Sequence, residues 1–173
     1  VILHKLVFSC VFDLLKQLTV DSIWYHGNKI SFVQTPENGV VLNLPITINS
    51  GTKDSVSIFY QGVPGASGFG TFYQGAHAGT PVIWTLSEPY GSREWWPCKN
   101  GLNDKADSID IIVTCPQQYQ PSSNGIIVNN TVSGAFRRTE FRHRFPIASY
   151  LIALAVTNYV IYNDTVNLGN ITI

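Results

Sequence analysis

The dominant period along the chain is two. Leu42, Leu44, Ile46 and Ile48 alternate with Asn43, Pro45 and Thr47, and Val56, Ile58 and Tyr60 alternate with Ser55, Ser57, Phe59 and Gln61. The same beat places Ile109, Ile111 and Val113 on one side and Asp110, Ile112 and Thr114 on the other, and sets Phe141, His143 and Phe145 against Glu140, Arg142 and Arg144. Successive side chains of an extended strand point to opposite faces, so this pattern predicts half-buried strands. Val1–Phe12 is an apolar run broken by His4 and Lys5. It is too short for a bilayer span, which needs about 20 residues, and it reads as a strand. No stretch carries a helical stripe with caps. The strands are separated by His26-Gly27-Asn28, Pro36-Glu37-Asn38-Gly39, Asn49-Ser50-Gly51 and Ser122-Ser123-Asn124-Gly125, residues that turn chains readily. The expectation is an all-β fold: an antiparallel, curved, multi-stranded β-sandwich, saddle-like, with irregular loops. No internal repeat, charge run or long linker divides it, so residues 1–173 read as one domain.

Two stretches break the alternation. Gln61–Thr80 is rich in Gly and Ala and carries Phe69, Phe72 and Tyr73, and Trp84–Ala106 holds three of the four tryptophans. Long segments without regular structure inside a compact domain usually serve a purpose.

Composition narrows the classes. Hydrophobic residues make up 45% of the 173, which excludes global disorder. Eleven basic and eleven acidic residues cancel, so neither a nucleic-acid binder nor a polybasic membrane-surface protein is expected. The absence of Met implies that the start was removed or that the chain is a piece of a longer one. Cys10, Cys98 and Cys115 form no CxxC pair, which excludes a zinc ribbon. They read best as small apolar residues, with their disulfide state open. Little Lys with much Thr and Asn leans toward an extracytoplasmic (secreted or periplasmic) protein. Asn129, Asn163 and Asn170 head N-x-Thr sequons, which matter only if the source glycosylates such proteins.

The second irregular stretch carries a signature. Thr85-Leu86-Ser87-Glu88-Pro89, then Arg93, then Trp95-Trp96-Pro97-Cys98, then Lys105-Ala106, resembles the N-terminal domain of the gluzincin zinc aminopeptidases, the aminopeptidase N family. The downstream order agrees, through Ser123-Asn124-Gly125 and Pro146-Ile147-Ala148-Ser149-Tyr150-Leu151 before a strand at Leu154–Val156. The strong match covers about residues 81–160. Three departures mark a divergent branch: Leu86 replaces the family's Gln, Asn100-Gly101-Leu102 replaces its Asp-Glu-Pro, and Thr157-Asn158-Tyr159 replaces its closing Gly-x-Phe.

The resemblance implies a parent enzyme that removes N-terminal amino acids from peptides with a bound zinc. It also implies that the thermolysin-like catalytic domain follows residue 173 and is this domain's partner. No His here begins H-E-x-x-H, so this chain is expected to be non-catalytic and to hold no cofactor. By the resemblance, Glu88 contributes to the subsites for the peptide's free N-terminus, with Ser87 and Leu86 beside it. Such an α-amine has a pKa near ~7.7–8 and is largely charged at neutral pH, so it needs an opposing carboxylate. Leu86 offers no amide, so the first-residue subsite is expected to be more apolar.

Plainer readings stand beside these. Trp95 and Trp96 fit core or interface packing better than a sugar platform, Arg93 pairs with Asp104 or Glu94, and His143 sits in the core. Glu140-x-x-His143 has metal-like spacing, but i and i+3 on a strand face opposite ways. The competing function is a stand-alone carbohydrate-binding or adhesion β-sandwich module.

Overall fold

Alternation does produce strands here, and all of their ladders are antiparallel. The structure, a computed structural model of the chain, describes residues 7–49, 51–68, 70–165, 167–168 and 171–172. The first half builds two facing three-stranded sheets. One has the order β1 (Val7–Asp13), β5 (Gly39–Ile48), β4 (Phe32–Gln34). The other has the order β3 (Asn28–Ile30), β2 (Leu18–Tyr25), β6 (Val56–Gly62). Their inner faces share one core of Leu14, Leu18, Val20, Ile23, Val40 and Leu42, with Phe12, Phe32 and Ile58 packed against it.

The second half repeats the arrangement with longer sheets. β7 (Phe72–His77) and β8 (Thr80–Thr85) form a hairpin that β13 (Leu154–Thr157) and β10 (Gln120–Ser123) extend to four strands, in the order β10-β13-β8-β7. A three-stranded sheet has the order β11 (Ile126–Ser133), β12 (Phe136–His143), β9 (Ile109–Pro116). Cys115, Phe141 and Val156 are buried in this half. β11 is the edge of its sheet, and every one of its residues is exposed, Ile126 and Ile127 included. Two short strands, β14 (Asn167–Leu168) and β15 (Ile171–Thr172), pair near the end.

Several expectations need correction. Ile46 does not join the core of β5: it is 58% exposed, because the burial alternation of that strand stops after Leu44. Phe145 is 73% exposed because β12 ends at His143, which is only half-buried and meets Phe145 edge-on. Gln61–Thr80 is not one irregular loop. It contains β7, which Gly75 and Ala76 disguise by interrupting the apolar beat. The turn after β7 uses two left-handed residues, Ala78 (φ 49) and Gly79 (φ 82), which match the twist of paired strands. Of the strand expected over Val1–Phe12, residues 1–6 lie outside the described residues, and the rest is β1. Asn170 also lies outside them.

All three cysteines are free, with Cys98 and Cys115 buried and Cys10 half-buried. Burial pushes the Cys98 thiol up to about 12, so it remains an inert protonated thiol.

The loop between β5 and β6 is fastened at one point. Asp54 Oδ2 accepts a hydrogen bond from the Tyr25 hydroxyl (2.7 Å), while Oδ1 accepts from the Ser55 N–H (2.7 Å) and lies 2.6 Å from His26 Nε2. The Tyr25 and His26 rings stack with centroids 4.1 Å apart. The Tyr25 hydroxyl, above all, holds the Asp54 carboxyl below its ordinary pKa. A depressed folded-state pKa stabilises fully above the ordinary carboxylate range, and the gain is lost as pH falls through the folded value. Asp54→Asn is therefore expected to lower the urea midpoint at neutral pH. The deficit should close as the titration moves to the acid side of the carboxylate range, and a pH-independent deficit would count against this latch.

Candidate functional site

Residues 86–100 leave the end of β8 and fold back onto the first half of the domain. The loop is tied at nearly every residue. The Leu86 N–H donates to the Thr71 carbonyl at 3.2 Å, and the Gly91 N–H donates to the Ser87 carbonyl at 2.8 Å, closing a turn that contains the cis Glu88–Pro89 bond. Ser87 is buried, and its hydroxyl accepts from the Trp95 indole N–H at 2.9 Å. Gly91 is needed at its place, because a Cβ there would lie 2.5 Å from the Thr71 hydroxyl oxygen.

A short 3-10 helix, Ser92–Glu94, follows. Sequence reasoning paired Arg93 with Asp104 or Glu94. Instead Glu94 turns inward, is 7% exposed, and takes the Ser67 N–H (3.0 Å) and the Ser67 hydroxyl. Its carbonyl accepts the Gly65 N–H at 3.0 Å. A buried carboxylate without donors would be costly, so this residue and the loop at 63–71 hold each other. Gly65 makes room for the arrangement, since a Cβ there would sit 2.5 Å from Glu94 Oε2. Among the described residues the ion pairs are His26–Asp54, Arg138–Glu140, Arg142–Asp110 and Arg144–Asp110, so Arg93 has none.

Asn100 is a residue to which sequence reasoning gave no role. Its N–H donates to Asp13 Oδ2 at 3.0 Å, and its side-chain amide donates to the Tyr90 carbonyl at 2.8 Å. Asp13 and Cys98 exchange backbone hydrogen bonds of 2.8 and 3.1 Å. The Leu15 N–H donates to the Arg93 carbonyl at 2.7 Å, and the Tyr60 hydroxyl to the Trp95 carbonyl at 3.0 Å. The loop is thus a rigid graft on the first sandwich.

Trp95 and Trp96 are half-buried, tilted 57° to each other, and Trp95 also packs on Phe72. They form part of the packing beneath the loop. The loop leaves outside Leu86, 44% exposed, and Tyr90, 56% exposed, together with Glu88, Pro89 and Lys99. Glu88 enters none of the ion pairs among the described residues. Of the three candidate residues, then, Leu86 and Glu88 are exposed and Ser87 is buried.

Zinc has no donor set in this region. Among the described residues no group of three His, Cys, Asp or Glu side chains is arranged to hold a metal ion. No helix of the described residues is long and apolar enough to cross a membrane.

No protein-family model matches the chain, and no curated protein matches it. Solved structures do. An M1 zinc metallopeptidase from Deinococcus radiodurans superposes with a TM-score of 0.81 at 25% identity, over 98% of this chain and 39% of that one. A variant from the same organism, bound to a Tyr-Ser-Ala substrate, gives 0.83 at 25% identity over the same shares. A two-domain M1 zinc metallopeptidase variant bound to L-arginine gives 0.82 at 26% identity. The chain spans 39% of the length of these enzymes. The likeness is to the zinc peptidase class to which the T-L-S-E-P and W-W-P-C runs point.

Two substitutions test how the loop is held. Glu94→Ala is expected to cost about 1–3 kcal/mol, because it orphans the Ser67 donors, and to speed proteolysis between residues 63 and 71. Ser92 is fully buried with its hydroxyl unpartnered among the described residues. Ser92→Ala is therefore expected to raise stability by about 1 kcal/mol in urea unfolding, removing an unpaired polar atom while keeping the backbone bonds.

Proposed function

We propose that this chain is the substrate-cleft domain of a zinc metallo-aminopeptidase, an enzyme that removes N-terminal amino acids from peptides. The observation that carries the reading is Glu88: an exposed carboxylate on a loop whose neighbours on both sides are fixed by hydrogen bonds. A fixed anion costs little reorganisation when a cation arrives, which is what makes such a group useful in a binding site. The peptide's α-ammonium is that cation. An internal peptide bond presents none, so a Glu88 wall would favour exopeptidase register.

Leu86 stands beside Glu88 and has only apolar surface to offer the first side chain. Ser87 acts from below as a positioning residue, through its bond to Trp95. Zinc and its activated water belong, in this reading, to a catalytic module following residue 173, which also closes the cleft. Ile161 and Tyr162, 57% and 85% exposed, are apolar surface that such a module would cover. The chain's own residues then supply the ammonium site and the wall of the first subsite, and no bond-making step. An extracytoplasmic setting fits the sparse Lys and plentiful Thr and Asn.

In the full-length enzyme, Glu88→Gln is expected to lower kcat/KM for dipeptide substrates by about 2–4 kcal/mol of transition-state binding. N-acetylated peptides, which lack the ammonium, should be poor substrates for both forms. An unchanged kcat/KM in Glu88→Gln would remove the subsite role.

A further inference from the structure

We propose that the outer face of the β7–β8 hairpin is a binding groove for a neutral carbohydrate chain. The groove has a volume of about 630 Å³ and runs between the hairpin and residues 157–160. Its floor is aromatic. Tyr73 and Trp84 are cross-strand partners whose rings stack 5.1 Å apart and within 23° of parallel. Tyr73 lies down along its own strand, since a Cβ at Gly75 would fall 2.2 Å from the Tyr73 hydroxyl oxygen. A side chain at 75 would push the ring out of this position, and Tyr73 keeps 38% of its surface exposed. Tyr159, 45% exposed, stands on the opposite wall.

The lining selects the ligand. It contains no Asp, Glu, Lys or Arg, and His77 is its one imidazole. A charged ligand would lose water here without gaining a counter-ion. A purely apolar one would strand the exposed Asn158 amide and the His77 ring nitrogens. A pyranose meets both demands. One face presents C–H groups to the electron-rich ring faces, and its hydroxyls pair with neutral donors and acceptors at the edge. Thr157 is already spent, donating to the Pro81 carbonyl at 2.9 Å, so it steadies the wall without facing the ligand. The groove uses neither Glu88 nor the 86–91 loop, so it stands or falls apart from the peptidase reading.

The test is calorimetric titration of the 173-residue chain with cellohexaose, maltohexaose and chitohexaose. At least one should bind with a dissociation constant in the millimolar range or tighter. Gly75→Ala lifts the Tyr73 ring and should weaken that binding about tenfold, the loss of one ring-stacking contact. Tyr159→Ala should weaken it by a similar factor, while Tyr73→Phe keeps the ring face and should bind like the parent. Circular dichroism establishes that each variant is folded. Should Gly75→Ala misfold, the surface change Tyr159→Ala carries the comparison. Three silent sugars against the folded chain, or parental affinity in a folded Tyr159→Ala together with any folded Gly75→Ala, would overturn the proposal.

Discussion

A carboxylate buried in protein must collect hydrogen-bond donors or lose its place. Glu94 meets that demand by drawing in Ser67, and the two irregular segments of this chain become one object as a result. That exchange adds to two backbone bonds between the segments, from the Gly65 N–H to the Glu94 carbonyl and from the Leu86 N–H to the Thr71 carbonyl. The two glycines at the contact, Gly65 and Gly91, serve the same end by letting backbone and side chain approach within distances that any Cβ would forbid.

From this follows the character of the outward surface. The loop after β8 is held by its own turns and by bonds to Thr71, Asp13 and Leu15, and several of its side chains remain exposed. Leu86 and Glu88 are among those side chains, one apolar and one anionic. Such a pair suits recognition of a charged terminus beside a side chain. The peptidase reading joins this local chemistry to the structural likeness, neither of which would suffice separately. The M1 enzymes share the fold over nearly the whole of this chain, yet the chain spans well under half of theirs.

Much of the architecture was legible from periodicity, and the failures are instructive. The inner positions of β2, β5 and β6 followed the two-residue beat because both sheets bury one face on a common core. The beat misled at Ile46 and Phe145, where the strand or its partner layer ends before the pattern does. β7 was hidden because Gly75 and Ala76 replace the apolar positions, and the reason for Gly75 is an aromatic ring lying across it, a contact no local pattern encodes. At the site, Glu88 and Leu86 were nominated through an ordered motif, and both side chains are exposed. Glu94 and Asn100 were missed as determinants because each bonds to residues distant in sequence, Ser67 on one side and Asp13 on the other.

The bare edge of the second half also has its safeguard. β11 offers a full row of exposed residues with Ile126, Ile127 and Val128 at its head, the sort of border onto which a stray strand from another molecule can zip. Between Ile127 and Asn129 the pairing with β12 slips by one residue, placing a bulge inside that greasy triplet. An incoming strand would find its register broken after two residues and the border twisted away from it. A single surplus residue thereby breaks the regular ladder that this border would offer to a further strand.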